Sequence, residues 1–298
     1  GGEITLLTPT DTILKTGEKR TIDGVELEFQ MVPETEAPSE MNVYLPAART
    51  FLAAEIATCT LHNILTPRGA KVRDALAWSQ YLGEAVNLYA GRSDTIVSSH
   101  CWPRFGQKEV ESWLSGHRDN YRYLHYQTVR LMNKGYTQTE IAEKLKAPPA
   151  LANQWFNRGY YGTYSHNSKA VYQRYLGWYD AIPANLNPYP PEERGKRLVA
   201  AMGGAKKVLA EAKKAMKAGD YRWSSDLLHQ LVFAEPKNAE ARALLADSYE
   251  QQGYQAESAI WRNQFLTAAR DLRQGMTPSI ASQSVDMISA IATPLLLD

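Results

Sequence analysis

The 298-residue sequence predicts an α+β chain. Three observations carry this reading. Residues 3–55 are short β-branched or alternating runs separated by turn residues, which is a strand pattern. Residues 71–97 then give a helix followed by a strand, an α/β layer pattern. From residue 107 onward helical spacing of apolar residues dominates. The expected division is an α/β part at 1–120, an all-α part at 121–275 and a short apolar end at 276–298.

The strand runs are 4–7, 12–14, 21–22 and 25–29. Asp23-Gly24 between the last two is a hairpin signal, because a type I′ turn needs positive φ at both central residues. Residues 42–45 and 50–54 supply the next two strands. Glu36 falls in the loop before Asn42. Glu55 falls at the carboxyl end of its strand, where open α/β sheets place ligands. Over 71–91, Val72, Ala75, Leu76, Trp78, Leu82, Ala85, Val86 and Tyr89 recur at three- and four-residue steps, so this stretch reads as a helix. Residues 95–97 are a last strand ending at Ser98-Ser99-His100.

Residues 108–134 read as a long helix carrying Val110, Trp113, Leu114, Tyr121, Leu124 and Val129. Thr137 with Glu140 matches a capping box. The stretch 135–145 resembles the second helix of a helix-turn-helix, but its basic residues are mixed with acids. Pro183 and Pro188-Tyr189-Pro190-Pro191 mark a linker. Residues 192–275 read as four amphipathic helices. Two of them, 239–252 and 255–269, resemble a tetratricopeptide-like pair. Such pairs bury their apolar faces only against neighbours. Residues 107–275 are therefore expected to stand alone as a dimeric helical piece.

Hydrophobic content of 44% and charged content of 22% are those of an ordinary globular protein. A net charge of +1 argues against bulk attraction to nucleic acid or anionic membrane. No apolar run is long enough to span a bilayer. The chain opens Gly-Gly-Glu-Ile-Thr, with no basic and apolar leader. Cys59 and Cys101 fit neither a disulfide framework nor a Cys-x-x-Cys metal site.

The chemistry is concentrated between Glu36 and His100. Two carboxylates and one imidazole, Glu36, Glu55 and His100, lie in this stretch with Arg68 and Arg73 between them. Carboxylate and imidazole suit zinc and similar divalent cations. Arginine forks suit a tetrahedral anion, since guanidinium keeps its charge and offers paired N–H groups. Solvated loop acids paired with arginines are the alternative from spacing alone.

The motifs Leu-His-Asn-Ile-Leu-Thr-Pro-Arg-Gly at 61–69, Val-Arg-Asp at 72–74, Ser-Ser-His-Cys-Trp-Pro at 98–103, Arg-Gly-Tyr-Tyr-Gly at 158–162 and Ser-His-Asn-Ser-Lys-Ala-Val-Tyr-Gln-Arg-Tyr at 165–175 stand in one order. In that order they resemble the second half of the metallo-β-lactamase-fold alkyl sulfatases, over nearly the whole chain. The resemblance implies zinc-dependent hydrolysis of alkyl sulfate esters to alcohol and sulfate, with two zinc ions in the intact enzyme. It implies Glu36, Glu55 and His100 as metal ligands. Asn63, Arg68 and Arg73 would hold the sulfate, and His166 would be the proton donor to the leaving group. Tyr161 and Tyr172 would line the substrate pocket. The family's His-x-His-x-Asp-His segment is not in this sequence, so the chain reads as a piece of the enzyme, expected to be inactive alone.

The same resemblance implies an αββα half-domain over 1–120, a homodimer built through 121–275, and the opening of a sterol-carrier-like domain at 276–298. It favours a periplasmic or secreted bacterial protein. A non-catalytic helical scaffold with a vestigial α/β part is the rival reading. Convergence of Glu36, Glu55 and His100 would separate the two.

Overall fold

A computed structural model gives the fold and describes residues 9–275. Six strands form one sheet in chain order: β1 (Lys19–Ile22), β2 (Val25–Met31), β3 (Met41–Leu45), β4 (Thr50–Leu52), β5 (Thr95–Val97) and β6 (Arg104–Phe105). Neighbours are antiparallel except β4 and β5, which are parallel. At the β1–β2 turn Asp23 has φ 50° and Gly24 φ 82°, as the Asp-Gly signal requires. Residues 12–14 are not a strand. The N–H groups of Leu14 and Lys15 both donate to Glu18 Oε1 at 2.9 Å, so side-chain capping folds this segment locally. Residues 4–7 lie outside the described residues.

Parallel β4 and β5 need a crossover, and α1 (Ala75–Tyr89) lies on it. It starts four residues later than the spacing suggests. Asp74 caps it, its carboxylate accepting from the N–H groups of Leu76 and Ala77. Trp78, Leu82, Ala85 and Tyr89 form its buried face. Tyr89 stacks on Phe51 of β4 at 5.0 Å. Helix α2 (Gln107–Met132) covers α1, and Trp78 stacks on Tyr121 at 4.6 Å. A fully buried side chain of this size stabilises by about 1.5–3 kcal/mol, so this seam holds the α/β part together. The chain leaves α2 through Gly135 at φ 83° and enters α3 (Gln138–Lys144) through the complete Thr137–Glu140 capping box.

After α4 (Pro149–Ala152), α5 (Tyr164–Leu176) returns onto the same core. That core runs without interruption from Val32 to Tyr172. Residue 120 lies inside α2. A second core, Val199 to Leu245, belongs to α6 (Pro191–Ala201), α7 (Ala205–Lys217), α8 (Tyr221–Ala234), α9 (Ala239–Gln255) and α10 (Ala259–Gln274). Among the described residues, 191–275 therefore hold five helices rather than four. The extra break is Gly203-Gly204, with φ 89° and 93°. Gly204 N–H donates to Val199 O at 2.9 Å, closing α6 in the left-handed way that glycine tolerates. The sterol-carrier-like expectation at 276–298 lies outside the described residues.

Candidate metal centre

Two antiparallel steps separate β2 from β4, so those strands run the same way, and β5 is parallel to β4. Their carboxyl ends open on one edge of the sheet. That is why Glu36, Glu55 and His100, far apart in sequence, leave the sheet together. Glu40, just before β3, ties two of these loops. Its buried carboxylate accepts the Glu55 N–H at 2.8 Å and the Ala37 N–H at 3.2 Å, and Thr35 Oγ1 donates to it at 3.2 Å. Burial pushes the Glu40 carboxyl above the ordinary range. The backbone after Glu55 is pinned from three sides. Trp78 Nε1 donates to Ile56 O at 2.8 Å, while Trp113 Nε1 and Ser98 Oγ each donate to Ala57 O at 2.7 Å.

Glu55 presents its two oxygens to two imidazoles. Oε2 lies 3.1 Å from His62 Nε2 and Oε1 lies 3.2 Å from His100 Nε2. The hydrogen bond from His62, with His100 adding to it, pulls the Glu55 carboxyl down to about 2. Glu36, Glu55 and His62 each offer a ligand atom within 4.8 Å of the others. Two carboxylates and an imidazole at that spacing fit a divalent cation. His62 is buried, with the Tyr161 ring edge-on at 4.8 Å and its N–H bonded to Tyr121 Oη at 3.1 Å.

Arg73 locks the other side. Its Nε donates to Glu36 O at 2.6 Å, Nη2 pairs with the Glu36 carboxylate, and Nη1 reaches both oxygens of Asn63, the backbone one at 2.9 Å. Nη1 also faces His62 Nδ1 at 3.2 Å. That same Nδ1 lies 3.1 Å from Asn63 O, while Nε2 faces Glu55. The buried Asn63 amide nitrogen has no acceptor among the described residues. A cavity of about 320 Å³ opens over Glu55, Cys59, His62, His100, Tyr160 and Tyr161. Its tyrosine wall is held by the helical part. Ser258 Oγ donates to Tyr161 O at 2.7 Å, and Ala259 N–H to Tyr160 O at 2.8 Å.

Comparison with known proteins is consistent over the whole chain. A family model described as alkyl sulfatase dimerisation matches residues 137–275. The alkyl/aryl-sulfatase BDS1 of Saccharomyces cerevisiae is 46% identical over 297 residues, covering 100% of this chain and 46% of the relative. An (R)-specific secondary-alkylsulfatase of a Pseudomonas species is 48% identical over 291 residues, covering 97% and 44%. The solved structure of the stereoselective inverting sec-alkylsulfatase Pisa1 from Pseudomonas superposes with a TM-score of 0.90 at 49% identity, covering 92% of this chain and 43% of that one. The chain belongs to the alkyl sulfatase family. It spans about half the length of the curated alkylsulfatases it matches.

In this alkyl sulfatase chain Glu36, Glu55, Asn63, Arg73, His100 and Tyr161 gather at one end of the sheet. Three of the sequence candidates stand apart. Arg68 is exposed on the turn after Pro67, without an ion pair among the described residues. Tyr172 is buried in the core face of α5. His166 receives the Trp261 Nε1–H on Nδ1 at 3.0 Å, so its Nε2–H donates to Leu65 O at 2.6 Å. Burial lowers its pKa, and both ring nitrogens are engaged by the protein. Conversely, His62, Glu40 and Ser258 were not sequence candidates. His62 sits inside the motif at 61–69, but its meeting with Glu55 depends on the tertiary fold.

Proposed function

We propose that this chain contributes part of a zinc-dependent centre hydrolysing alkyl sulfate esters to alcohol and sulfate. The observation that carries the reading is Glu55, one carboxylate offered on two sides to His62 and His100 with Glu36 beside it. Glu55 is suited to be a carboxylate shared between two cations, Glu36 and His100 to serve one each, and His62 to hold Glu55 or to ligate. Zinc, when bound, supplies a Lewis acid and a water of lowered pKa. Arg73 fixes the Glu36 carboxylate and the Asn63 amide, which leaves the Asn63 N–H₂ free for an anionic oxygen. Arg68, exposed at the turn, is free to swing a guanidinium fork onto a sulfate group. His166 is neutral where it stands, so proton donation by it needs release from Trp261. The cavity's tyrosine wall accommodates an apolar tail.

In this reading residues 1–120 are the second half of an αββα metallo-β-lactamase-like domain. Helices α9 and α10 form a tetratricopeptide-like pair, and the protein is a homodimer. A helical scaffold gives no reason for two carboxylates and two imidazoles to converge. The test joins this chain to an upstream half carrying His-x-His-x-Asp-His. The joined protein should hold about two zinc ions, and Glu55→Ala should lose zinc and alkyl sulfate turnover together. Unchanged zinc in Glu55→Ala by elemental analysis would overturn the assignment.

A further inference from the structure

The two cysteines of the sequence lie on two adjacent loops. β4 and β5 pair in parallel with Leu52 opposite Val97. The loops leaving their carboxyl ends therefore run side by side, one carrying Glu55 and Cys59, the other His100 and Cys101. The Cys59 thiol donates to the backbone carbonyl of His100 at 3.1 Å, one residue before Cys101. Both side chains are half-buried and pack on the same core cluster. Their access differs. Cys59 lines the cavity beside Glu55 and His100, and Cys101 does not. Burial, with the Cys59 thiol beside it, pushes the Cys101 thiol up to about 12.

We propose that Cys59 and Cys101 are a redox-sensitive modification site that closes into a disulfide on exposure to a low-molecular-weight disulfide such as oxidised glutathione. Cys59 is the entry thiol because it faces the cavity. Its thiolate attacks one glutathione sulfur, a mixed disulfide forms, and one glutathione thiolate leaves. The Cys101 sulfur attacks Cys59 Sγ, its proton passing to the second glutathione thiolate as that group leaves. Two protein thiols thereby lose two electrons and two protons, and one glutathione disulfide becomes two thiols. Closure removes the Cys59-to-His100 hydrogen bond and fastens the Glu55 loop covalently to the His100 loop. The thiol pair does not depend on the metal reading.

The full chain is incubated with oxidised glutathione, quenched with N-ethylmaleimide and weighed intact without reductant. The expected product is a monomeric chain lighter by two hydrogens, with maleimide uptake falling from two per chain to none. A linked peptide pair containing Cys59 and Cys101 should appear in the digest, and dithiothreitol should restore both thiols. Cys59→Ser should take up maleimide at Cys101 after the same treatment. Two alkylated thiols in the treated wild-type chain, stable glutathione adducts on both cysteines, or a cross-linked dimer would each overturn the proposal.

Discussion

The Glu40 carboxylate accepts the backbone N–H of Glu55 at 2.8 Å and, through its other oxygen, the N–H of Ala37 at 3.2 Å. One buried side chain thus sets the spacing between the loops that carry the two candidate glutamate ligands. Groups that orient metal ligands in this way are worth 10–100-fold in affinity. Glu40→Gln replaces one acceptor oxygen by an N–H₂ group, which opposes a backbone donor instead of accepting it. We expect zinc affinity of the chain, followed by isothermal titration, to fall by roughly tenfold or more. An affinity within twofold of wild type would mean the loops hold their spacing without Glu40.

What was legible in the sequence is what depends on near neighbours. The Asp23-Gly24 turn, the Thr137–Glu140 capping box and the α1 spacing are local signals, and the fold follows them. Glu36, Glu55 and His100 were legible from residue type at strand ends. Glu40 and His62 were not, because their importance lies in partners that only the sheet brings near. His166 shows the converse. Its Trp261 partner is 95 positions away, so no local pattern could reveal that its ring is engaged on both nitrogens. The expectation that 107–275 stands alone meets the same limit. α2 buries Trp113, Leu114 and Tyr121 in the core it shares with α1, and cutting before 107 would strip that face.

The two arginines should separate by measurement. Arg73 donates to the Glu36 carboxylate, the Glu36 carbonyl and Asn63, and hydrogen bonds to charged groups contribute about 1.5–3 kcal/mol each. Lysine keeps the charge but cannot reach all of these acceptors. Arg73→Lys should lose about 2 kcal/mol or more in urea unfolding. Exposed Arg68 should lose less than about 0.5 kcal/mol as Lys. In the whole enzyme, however, Arg68→Lys should lower kcat/KM on a medium-chain alkyl sulfate by about tenfold, the equivalent of one charge-assisted bond. A change below about threefold would mark Arg68 as a surface residue only.

His117 predicts the pH response of the core. It is fully buried between Trp113 and Phe156, and neither ring nitrogen has a partner among the described residues. Burial pulls its pKa down from 6.5 to about 3. The unfolded chain therefore takes up a proton near pH 6.5 that the folded chain refuses until near pH 3. Stability from this residue is fully present above pH 6.5 and is lost as pH falls through that window. The Tm should drop between pH 7 and pH 5, and His117→Leu should flatten the drop. An identical slope in His117→Leu would place the titration on other groups.

Assembly is the last expectation, and the structure changes its grounds. Of the apolar residues of α8 that on sequence suggest a face left for a second copy, Leu227, Leu228 and Leu231 are buried within the chain, Val232 is half-buried and Phe233 is exposed. α8 packs against α6, α7 and α9, which accounts for apolar residues on more than one of its faces. A further run of exposed apolar side chains lies on the strap from the end of α5 to the start of α6. Tyr175, Leu176, Trp178, Ile182, Leu186 and Tyr189 are all exposed there, Trp178 by 66%. Exposed apolar side chains so close in sequence suit an interaction surface, and two-fold pairing is the commonest way to cover one. The strap lies within the region matched by the alkyl sulfatase dimerisation family. The full chain should therefore run as a dimer by light scattering, and Trp178→Ser with Leu186→Ser should shift it toward monomer while leaving its helical circular dichroism unchanged. A dimer unmoved by the double substitution would place the interface elsewhere, and a monodisperse wild-type monomer would refute the dimer itself.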